Sequence, residues 1–346
     1  MNVILKKSLY SLPVLLGVVA LVFVMFRSFG DPARMMMGQG GDKKTLENIR
    51  KELYLDQPKW KQFLLYLNDI SPIAVHSEEE INNKGLKGFF FGGKNKFAIK
   101  LPYLGKSYRT KKNTTDILLD ALPATLVLAF AAMFFACTIG ILLGVLAAVK
   151  KGTAADLSAM TASIAGISAP SFFIAIIIAY IFGYLLHSYT GLNITGSLFE
   201  IDEVTGEKYL ALKNLVLPAI TLGIRPLAII TQLTRSSMLD VLQQDFIRTA
   251  YAKGLSRNTV IFRHALPNAI NPVITAVTGW FAELLAGAFF IEYIFGWNGI
   301  GKITVEALAN LDYPVVAGAV LLSAVIFVLI NILADMAYRL ADPRIK

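Results

Sequence analysis

Long runs of apolar residues constrain the fold of this chain more than any other sequence feature. A helix that crosses a membrane needs roughly 20 apolar residues at a rise of about 1.5 Å each. We therefore predict an all-α integral membrane protein with six transmembrane helices. The predicted spans are Ser8–Phe26, Ala121–Val149, Leu157–Leu186, Leu215–Thr234, Ala265–Phe290 and Pro314–Ala334.

The first run resembles a secretory signal in its charge pattern, because Lys6 and Lys7 precede it and Arg27 follows it. A cleaved signal would end in small residues, whereas the bulky stretch Phe26–Phe29 ends this run. We expect a retained helix, and divide the chain into residues 1–27 (the first transmembrane helix), 28–120 (an extracytoplasmic segment) and 121–346 (the core).

The composition agrees with lipid as the main solvent. Of the 346 residues, 55% are hydrophobic and 16% are charged, whereas a soluble domain carries about 25% charged residues. The net charge is +9, but the basic residues flank apolar runs and form no exposed stripe, which argues against nucleic acid as a partner. Cys137 is the single cysteine, so we expect neither an intrachain disulfide nor a cysteine-based metal site, and no metal ligands are assigned.

Basic residues in the short connections predict the orientation. They lie before the first span, between the second and third, between the fourth and fifth, and after the sixth, so both termini are predicted to be cytoplasmic. The residues are Lys6, Lys7, Lys150, Lys151, Arg235, Arg248, Lys253, Arg257, Arg263, Arg339, Arg344 and Lys346. Segment 28–120 is also basic, but it exceeds the ~60 residues over which this bias acts.

The extracytoplasmic segment is too polar to span a membrane. Apolar residues at helical spacing predict a helix over Thr45–Asn68, interrupted at Pro58. Residues 71–100 are expected to form an irregular loop with an apolar, glycine-rich tip, and a docking surface there is left open. The second outer loop, Ser188–Lys213, contains Glu200, Asp202, Glu203 and Glu207 and is assigned no chemistry.

The connection between the fourth and fifth spans is longer than a turn between two helices requires. Met238–Lys253 is predicted as one helix that Gly254 ends. Ser256 is expected to cap a second short helix that runs to Leu266, and Pro267 is expected to open the next span. A simple connector remains possible, but the length favours a helix–turn–helix exposed to the cytoplasm.

The connection contains Arg248-Thr249-Ala250, then Gly254, and then Leu266-Pro267. This order and spacing resemble the EAA loop of binding-protein-dependent ABC permeases, in the form found in the dipeptide, oligopeptide and nickel branch. Two positions depart from the general pattern: Arg248 replaces the usual acid, and His264 replaces the usual isoleucine. The resemblance implies that residues 239–267 hold a coupling helix that docks on a cytoplasmic ATPase. The residues carried over are Asp245, Arg248, Thr249, Ala250, Lys253, Gly254, Leu255, Leu266 and Pro267.

The resemblance extends over about five-sixths of the chain. Its N-terminal pattern is similar to that of the first of the two permeases that such importers pair. It includes segments near both ends, and residues 71–100 depart from it. The matching segments are Leu12-Pro13, Gly17-Val18, Gly30–Ala33, Leu55–Pro58, Gly105–Tyr108, Leu122–Thr125, Asp312–Val316 and Asp342–Arg344. The same resemblance implies an outer gate segment with Glu292, Phe295, Gly299 and Gly301.

Two ionisable residues lie inside predicted spans, where they are functional candidates. Arg225 and Glu283 are expected to face each other or the translocation path, with purely structural pairing as the alternative. They also favour a rival function, an ion-coupled secondary transporter, which leaves the EAA-like connection unexplained. Small residues at Gly140, Gly144, Ala162 and Gly166 offer close-packing faces, either within the chain or toward a second permease.

Enzymatic function is not expected. Gly296–Lys302 matches the first seven positions of a phosphate-binding loop, but Ile303 stands where the magnesium-binding hydroxyl belongs. No His-Glu-x-x-His or Gly-x-Ser-x-Gly motif occurs.

The resemblance thus implies the permease subunit of an ATP-driven peptide importer in a bacterial inner membrane. It implies a second homologous permease, two ABC ATPase subunits, an extracytoplasmic substrate-binding protein and membrane lipid as partners. ATP and Mg²⁺ are expected on the partner subunits, with no cofactor on this chain.

Overall fold

The computed structural model describes residues 3–28, 31–37, 42–202 and 205–341. Gly30, Glu203 and the terminal stretch 342–346, which entered the sequence predictions, lie outside the described residues. The chain divides into two compact units. The first contains residues 1–122 and 303–325, and the second contains residues 123–302 and 326–346.

Helices dominate both units. The first part of the chain forms α1 Val3–Ser28, α2 Pro32–Met37, α3 Lys43–Glu52, α4 Lys59–Ile70 and α5 Glu78–Lys84. The middle forms α6 Thr114–Val149, α7 Ala154–Ser168, α8 Ser171–Ile178, a π-helical segment Ala179–Leu185, and α9 His187–Thr190. The remainder forms α10 Lys213–Leu242, α11 Asp245–Ala252, α12 Arg257–Thr259, a π-helical segment Val260–Ala265, α13 Leu266–Ala269, α14 Asn271–Gly287, α15 Phe289–Ile294, α16 Ile300–Ala309 and α17 Tyr313–Ala341.

Residues 71–100 are not the irregular loop that the sequence predicts. They form a three-stranded antiparallel sheet in the order β1 Ile73–Ser77, β3 Asn95–Lys100, β2 Gly88–Phe91. Gly88 permits the tight pairing, because a Cβ there would lie 2.3 Å from the carbonyl oxygen of Ile99. A capping box at Ser77 starts α5 between the first two strands, since Ser77 and Glu80 each accept a backbone hydrogen bond from the other.

In the first unit, α4 packs against the spanning helices. Its Phe63 ring lies 5.2 Å from the Phe23 ring of α1, and the buried cluster of Val19, Val22 and Leu321 continues this contact. In the same unit, Asp312 accepts hydrogen bonds from the Ser107 hydroxyl and from the Tyr108 backbone at 2.9 Å. These bonds hold the chain before α6 against the start of α17.

In the second unit, α6, α7 and α10 approach closely at glycines. A Cβ at Gly140 would lie 2.9 Å from the Leu227 carbonyl oxygen, and one at Gly144 would lie 2.5 Å from the Thr234 Cβ. Gly166 of α7 faces Ile224 in the same way, at 3.1 Å. These glycines therefore serve packing within the chain, which decides between the two roles left open by the sequence.

Proline sets the sharpest break in the unit. Ala169 is extended, as expected for a residue before proline, and α7 and α8 meet there at an angle of 110°. The second outer loop forms a short hairpin, β4 Phe199–Ile201 with β5 Lys208–Leu210.

Three described helices are long and apolar enough to cross a membrane: Thr114–Val149, Lys213–Leu242 and the part of α17 over Tyr313–Ala334. The bent pair Ala154–Ser168 and Ser171–Leu185 makes a fourth if it counts as one span. The apolar stretch of α1, Tyr10–Met25, is shorter, and α14 has 17 residues. The structure thus supports a multi-pass helical protein, with three to four spans recognisable among the described residues.

Candidate coupling and gating elements

The EAA-like connection forms a compact helical hairpin at the ends of α6 and α10. The predicted continuous helix Met238–Lys253 is interrupted, because Gln244 is extended with φ −78° and ψ 152°. A separate helix, α11, therefore begins at Asp245. Ile247 and Ala250 are buried there against Val145 and Met238.

Gly254 ends α11 as the sequence predicts. It has φ +79°, a conformation that residues with a Cβ rarely adopt. The amides of Gly254 and Leu255 bond back to the carbonyls of Tyr251 and Ala250, which is the Schellman arrangement. Ser256 then caps the next helix by accepting a hydrogen bond from the Thr259 amide. Both predicted capping residues are confirmed.

The second half of the hairpin differs from the expected short α-helix. It passes through the π-helical segment Val260–Ala265 and continues to Ala269 before α14 starts at Asn271. Leu266 is half-buried against the same cluster as Ala250, while Pro267 is exposed. Pro267 thus opens α13 rather than the long helix that follows.

The outer surface of the hairpin is basic and partly apolar. The Arg248 side chain is 77% exposed and lies 3.4 Å from the Asp245 carboxylate, and Thr249, Lys253 and Leu255 are also exposed. Ala250 differs from these, because its side chain points into the core. Ala250 therefore fixes the seat of α11 and offers no surface to another chain in this conformation.

Two polar contacts hold the hairpin and its neighbours in register. The Arg257 guanidinium donates to the carbonyl oxygen of Val149, the last residue of α6, at 3.3 Å. In the second contact, Arg235 of α10 donates two hydrogen bonds, of 2.6 and 2.8 Å, to the Asp156 carboxylate of α7. The Asp156 side chain is 7% exposed. Sequence reasoning missed this ion pair, because its partners are 79 residues apart.

The predicted outer gate segment contains a fully buried carboxylate. Glu292 of α15 accepts hydrogen bonds from the Thr125 hydroxyl at 2.8 Å and from the amides of Gly301 and Lys302 at 2.7 and 3.2 Å. Its side chain is 0% exposed. A Cβ at Gly299 would lie 2.4 Å from this carboxylate, so glycine is required for the close approach.

This arrangement also explains why the phosphate-loop-like sequence is not free to bind phosphate. The amides at the start of α16, which a phosphate would need, already bond to Glu292. Trp297 and Phe295 fill the space beside them, at 0% and 1% exposure, and the Trp297 indole donates to the Ala124 carbonyl. The segment is a packed junction between α6, α15 and α16.

The structure leaves Arg225 and Glu283 apart from these networks. Both side chains are exposed in the single chain, although α10 and α14 pack together. Among the described residues, no ion pair or hydrogen bond joins either head group to another side chain. Whether they line a path or meet a further chain stays a prediction. No group of three or more His, Cys, Asp or Glu side chains among the described residues is placed to hold a metal ion.

Comparison with known proteins assigns both the N-terminal part and the remainder of the chain to related families. Residues 140–346 match the family described as the binding-protein-dependent transport system inner membrane component. Residues 1–129 match the N-terminal part of such membrane components.

Curated relatives match along nearly the full length. The di/tripeptide transport system permease protein DppB of Pseudomonas aeruginosa is 37% identical, over 97% of this chain and 96% of its own. The dipeptide transport system permease proteins DppB of Alkalihalophilus pseudofirmus and Escherichia coli K12 are 34% and 35% identical, each over 99% of this chain and 98% of their own.

Among solved structures, an inward-facing MetNI methionine ABC transporter shares the fold. The TM-score is 0.51 at 17% identity, with 65% of this chain and 96% of that chain covered. The fold likeness, the family matches over both halves and the full-length relatives agree. This chain belongs to the family of binding-protein-dependent transport system inner membrane components.

Proposed function

We propose that this chain is the membrane-spanning permease subunit of an ATP-driven importer of dipeptides or oligopeptides. The observation that carries the proposal is the full-length match to peptide transport permeases, at 34–37% identity over 97% or more of the chain. The relatives are transport proteins and not enzymes, so the hydrolysis of ATP belongs to partner subunits. An ion-coupled transporter finds no support among these relatives.

The helical hairpin around α11 is the proposed lever. An ATPase that closes on ATP must push on a part of the permease that transmits force to the spans. The hairpin suits this role, because its inner face packs on the ends of α6 and α10 and its outer face presents Arg248, Lys253 and Leu255. Asp245 and Thr249 lie beside Arg248 on the exposed face, and Thr249 bonds back to the Asp245 carbonyl at 3.0 Å.

Arg225 and Glu283 are proposed to face the translocation path or the second permease. An exposed guanidinium or carboxylate within a spanning helix is costly against lipid, so these two side chains require a water-lined path or another protein chain beside them. Replacement of each by glutamine, singly and together, tests the idea by peptide uptake. If the two side chains interact across the path, the losses of uptake in the single variants should not be additive. The double variant should then retain more uptake than the product of the two single effects predicts.

The assembled importer is proposed to contain two permeases, two ABC ATPases that bind ATP and Mg²⁺, and an extracytoplasmic binding protein, with this chain crossing a bacterial inner membrane six times. Both termini and the hairpin are then cytoplasmic. Labelling of cysteines introduced at Lys253 and at Glu79 from each side of the membrane tests the orientation, with Cys137→Ala as the background.

Purification of the tagged chain in a gentle detergent tests the assembly. We expect ATPase subunits and a second permease to co-purify in stoichiometric amounts, and dipeptides to be taken up by the reconstituted complex. A lone chain that transports solute without any ATPase would overturn the proposal.

A further inference from the structure

The three-stranded sheet leaves an apolar face exposed, which is unusual for a domain surrounded by water. Alternate residues of a strand point to opposite faces, and the register aligns Ile73, Ile99 and Phe89 in one row across the sheet. The next row on that face is Val75, Phe97 and Phe91. All six side chains are 47–73% exposed.

The opposite face is covered and carries the polar residues. Ala74, His76, Ala98 and Lys100 are buried there at 0–5% exposure. The Lys100 ammonium donates to the Asp69 carbonyl oxygen of α4, and the His76 ring lies 3.5 Å from the Glu80 carboxylate of α5. The covered face therefore holds His76 and Lys100 beside two alanines and the partly buried Phe90, whereas the open face is apolar in both rows. An apolar face left open is the reverse of the usual pattern.

The open face forms a patch on the order of 600 Å², as large as the largest apolar patch on a typical soluble monomer. It continues onto α4. Asn68 bonds through its side chain to both backbone groups of Val75 at the edge of β1. Trp60 and Leu64 lie eight and four residues before Asn68, on the same stripe of the helix, and are 66% and 54% exposed.

The position of α4 indicates what covers this patch. Phe63 and Tyr66 on the other side of the helix pack on Phe23, which lies inside the apolar stretch Tyr10–Met25 of α1. They also contact Leu321, which lies inside the apolar span Tyr313–Ala334. α4 therefore lies alongside the apolar stretches of both helices, which are the segments expected to enter a bilayer.

The charges around the patch fit a phospholipid surface. Lys59 and Lys61 flank Trp60, and Lys94 stands in the turn between β2 and β3; all three are exposed. Lysines at the rim of an apolar, aromatic surface suit anionic headgroups. The acidic residues Glu78 and Glu79 belong to α5, on the covered side of the sheet.

We propose that the open face of the sheet, with Trp60 and Leu64, rests in the bilayer surface on its own side of the membrane and anchors the outer segment there. A soluble binding protein is a poorer occupant, because it leaves and returns and would uncover the patch in each cycle. This anchoring adds to the proposed function and is independent of which solute is transported.

The test uses the assembled transporter in vesicles of phosphatidylethanolamine and phosphatidylglycerol that contain a spin-labelled lipid. Single cysteines at Phe89 or Phe97, in a Cys137→Ala background, carry an environment-sensitive fluorophore. Glu79→Cys, exposed on α5 of the same domain, is the matched control. We expect the spin-labelled lipid to quench both face positions severalfold more than the control, with and without binding protein. Retained resistance of the outer segment to trypsin confirms that each labelled variant is folded.

Quenching by lipid no greater than at Glu79, with free access to aqueous iodide, would overturn the proposal. Protection from iodide without lipid quenching would also overturn it and would assign the face to a protein partner. Protection from iodide that occurs only in vesicles with added binding protein would identify the binding protein as that partner. None of these outcomes requires transport, so a failure here is distinguishable from a failure of the proposed peptide uptake.

Discussion

The hairpin around α11 and the three-stranded sheet differ in which side chains they bury and which they expose. The hairpin buries Ile247, Ala250 and Val260 and exposes charges, which is the pattern of a surface made for water and for a partner that docks from water. The sheet buries Lys100 and exposes phenylalanines. The exposure of a side chain in one isolated chain therefore does not tell whether water, lipid or another subunit contacts it.

The largest effect is expected where the buried ion pair between α5 and α4, beside the sheet, is broken. Lys84→Met removes the ammonium that bonds the Asp69 carboxylate at 2.6 and 2.8 Å, and it leaves that carboxylate buried. Burial already raises the pKa of Asp69, and Lys84 opposes this shift. We expect a loss of about 3–5 kcal/mol in the stability of the outer segment, measured as faster cleavage by trypsin or chymotrypsin under native conditions.

The matched control is Lys87→Met, which breaks an exposed ion pair with Asp116 of 2.7 Å. An exposed pair of this kind contributes about 0–1 kcal/mol, so cleavage should hardly change. Equal effects of the two variants would contradict the structural role given to the buried pair of Lys84 and Asp69.

The next largest effect is expected at the close contact between α6 and α10, the two helices on which the hairpin packs. Gly144→Ala places a Cβ 2.7 Å from the Thr231 carbonyl oxygen, and backbone cannot move away as a side chain can. We expect a loss of about 1–3 kcal/mol, seen as a lower melting temperature of the purified protein in detergent. Gly17→Ala in α1 is the control, since a Cβ there meets nothing within 4 Å; a fall in both variants would point to a general intolerance of alanine.

Gly254 separates coupling from stability. Gly254→Val places a β-branched residue at φ +79° and costs about 1–2 kcal/mol locally, while a Cβ there meets no other atom within 4 Å. The chain should insert normally, but ATP hydrolysis should no longer drive uptake. Gly254→Asn, which tolerates this conformation better, should retain coupling. Normal coupled uptake in the valine variant would remove the hairpin from its proposed role.

The smallest effect is expected on the protease resistance of the outer segment when low pH protonates Glu80. The His76 ring, despite opposing desolvation, lowers the pKa of Glu80 to about 2 from its ordinary 4.5, helped by the Ser77 amide and Lys84. A depressed carboxyl pKa stabilises the folded form above the unfolded pKa. The protection of the outer segment from protease should therefore fall as the pH drops from about 4.5 towards 2. In Glu80→Gln the same protection should be weaker at neutral pH and change less over this window; an identical acid profile would exclude Glu80 as its source.

The sequence predicted the hairpin better than the sheet for a physical reason. Gly254 and Ser256 act through local backbone geometry, which a short stretch of sequence specifies. The break at Gln244 was missed, since helix-forming residues lie on both sides of it. Strand alternation was present in Ile73–Ser77 and Asn95–Lys100, but its apolar residues gave no hint that they face outward.

Long-range contacts lie beyond such reasoning. The bond between Thr125 and Glu292 spans 167 residues, and that between Ser107 and Asp312 spans 205. Family resemblance placed Glu292, Gly299 and Gly301 in one segment, but their meeting at a buried carboxylate required the folded chain. The positions of Arg225 and Glu283 relative to a translocation path remain a prediction.

The central claim is best tested by uptake of a labelled dipeptide into vesicles that contain the purified complex, with ATP supplied to the ATPase side and binding protein to the other. The account predicts accumulation that requires ATP, binding protein and an intact α11 hairpin, and that Gly254→Val abolishes. Accumulation driven by a proton or sodium gradient in the absence of ATP would contradict it.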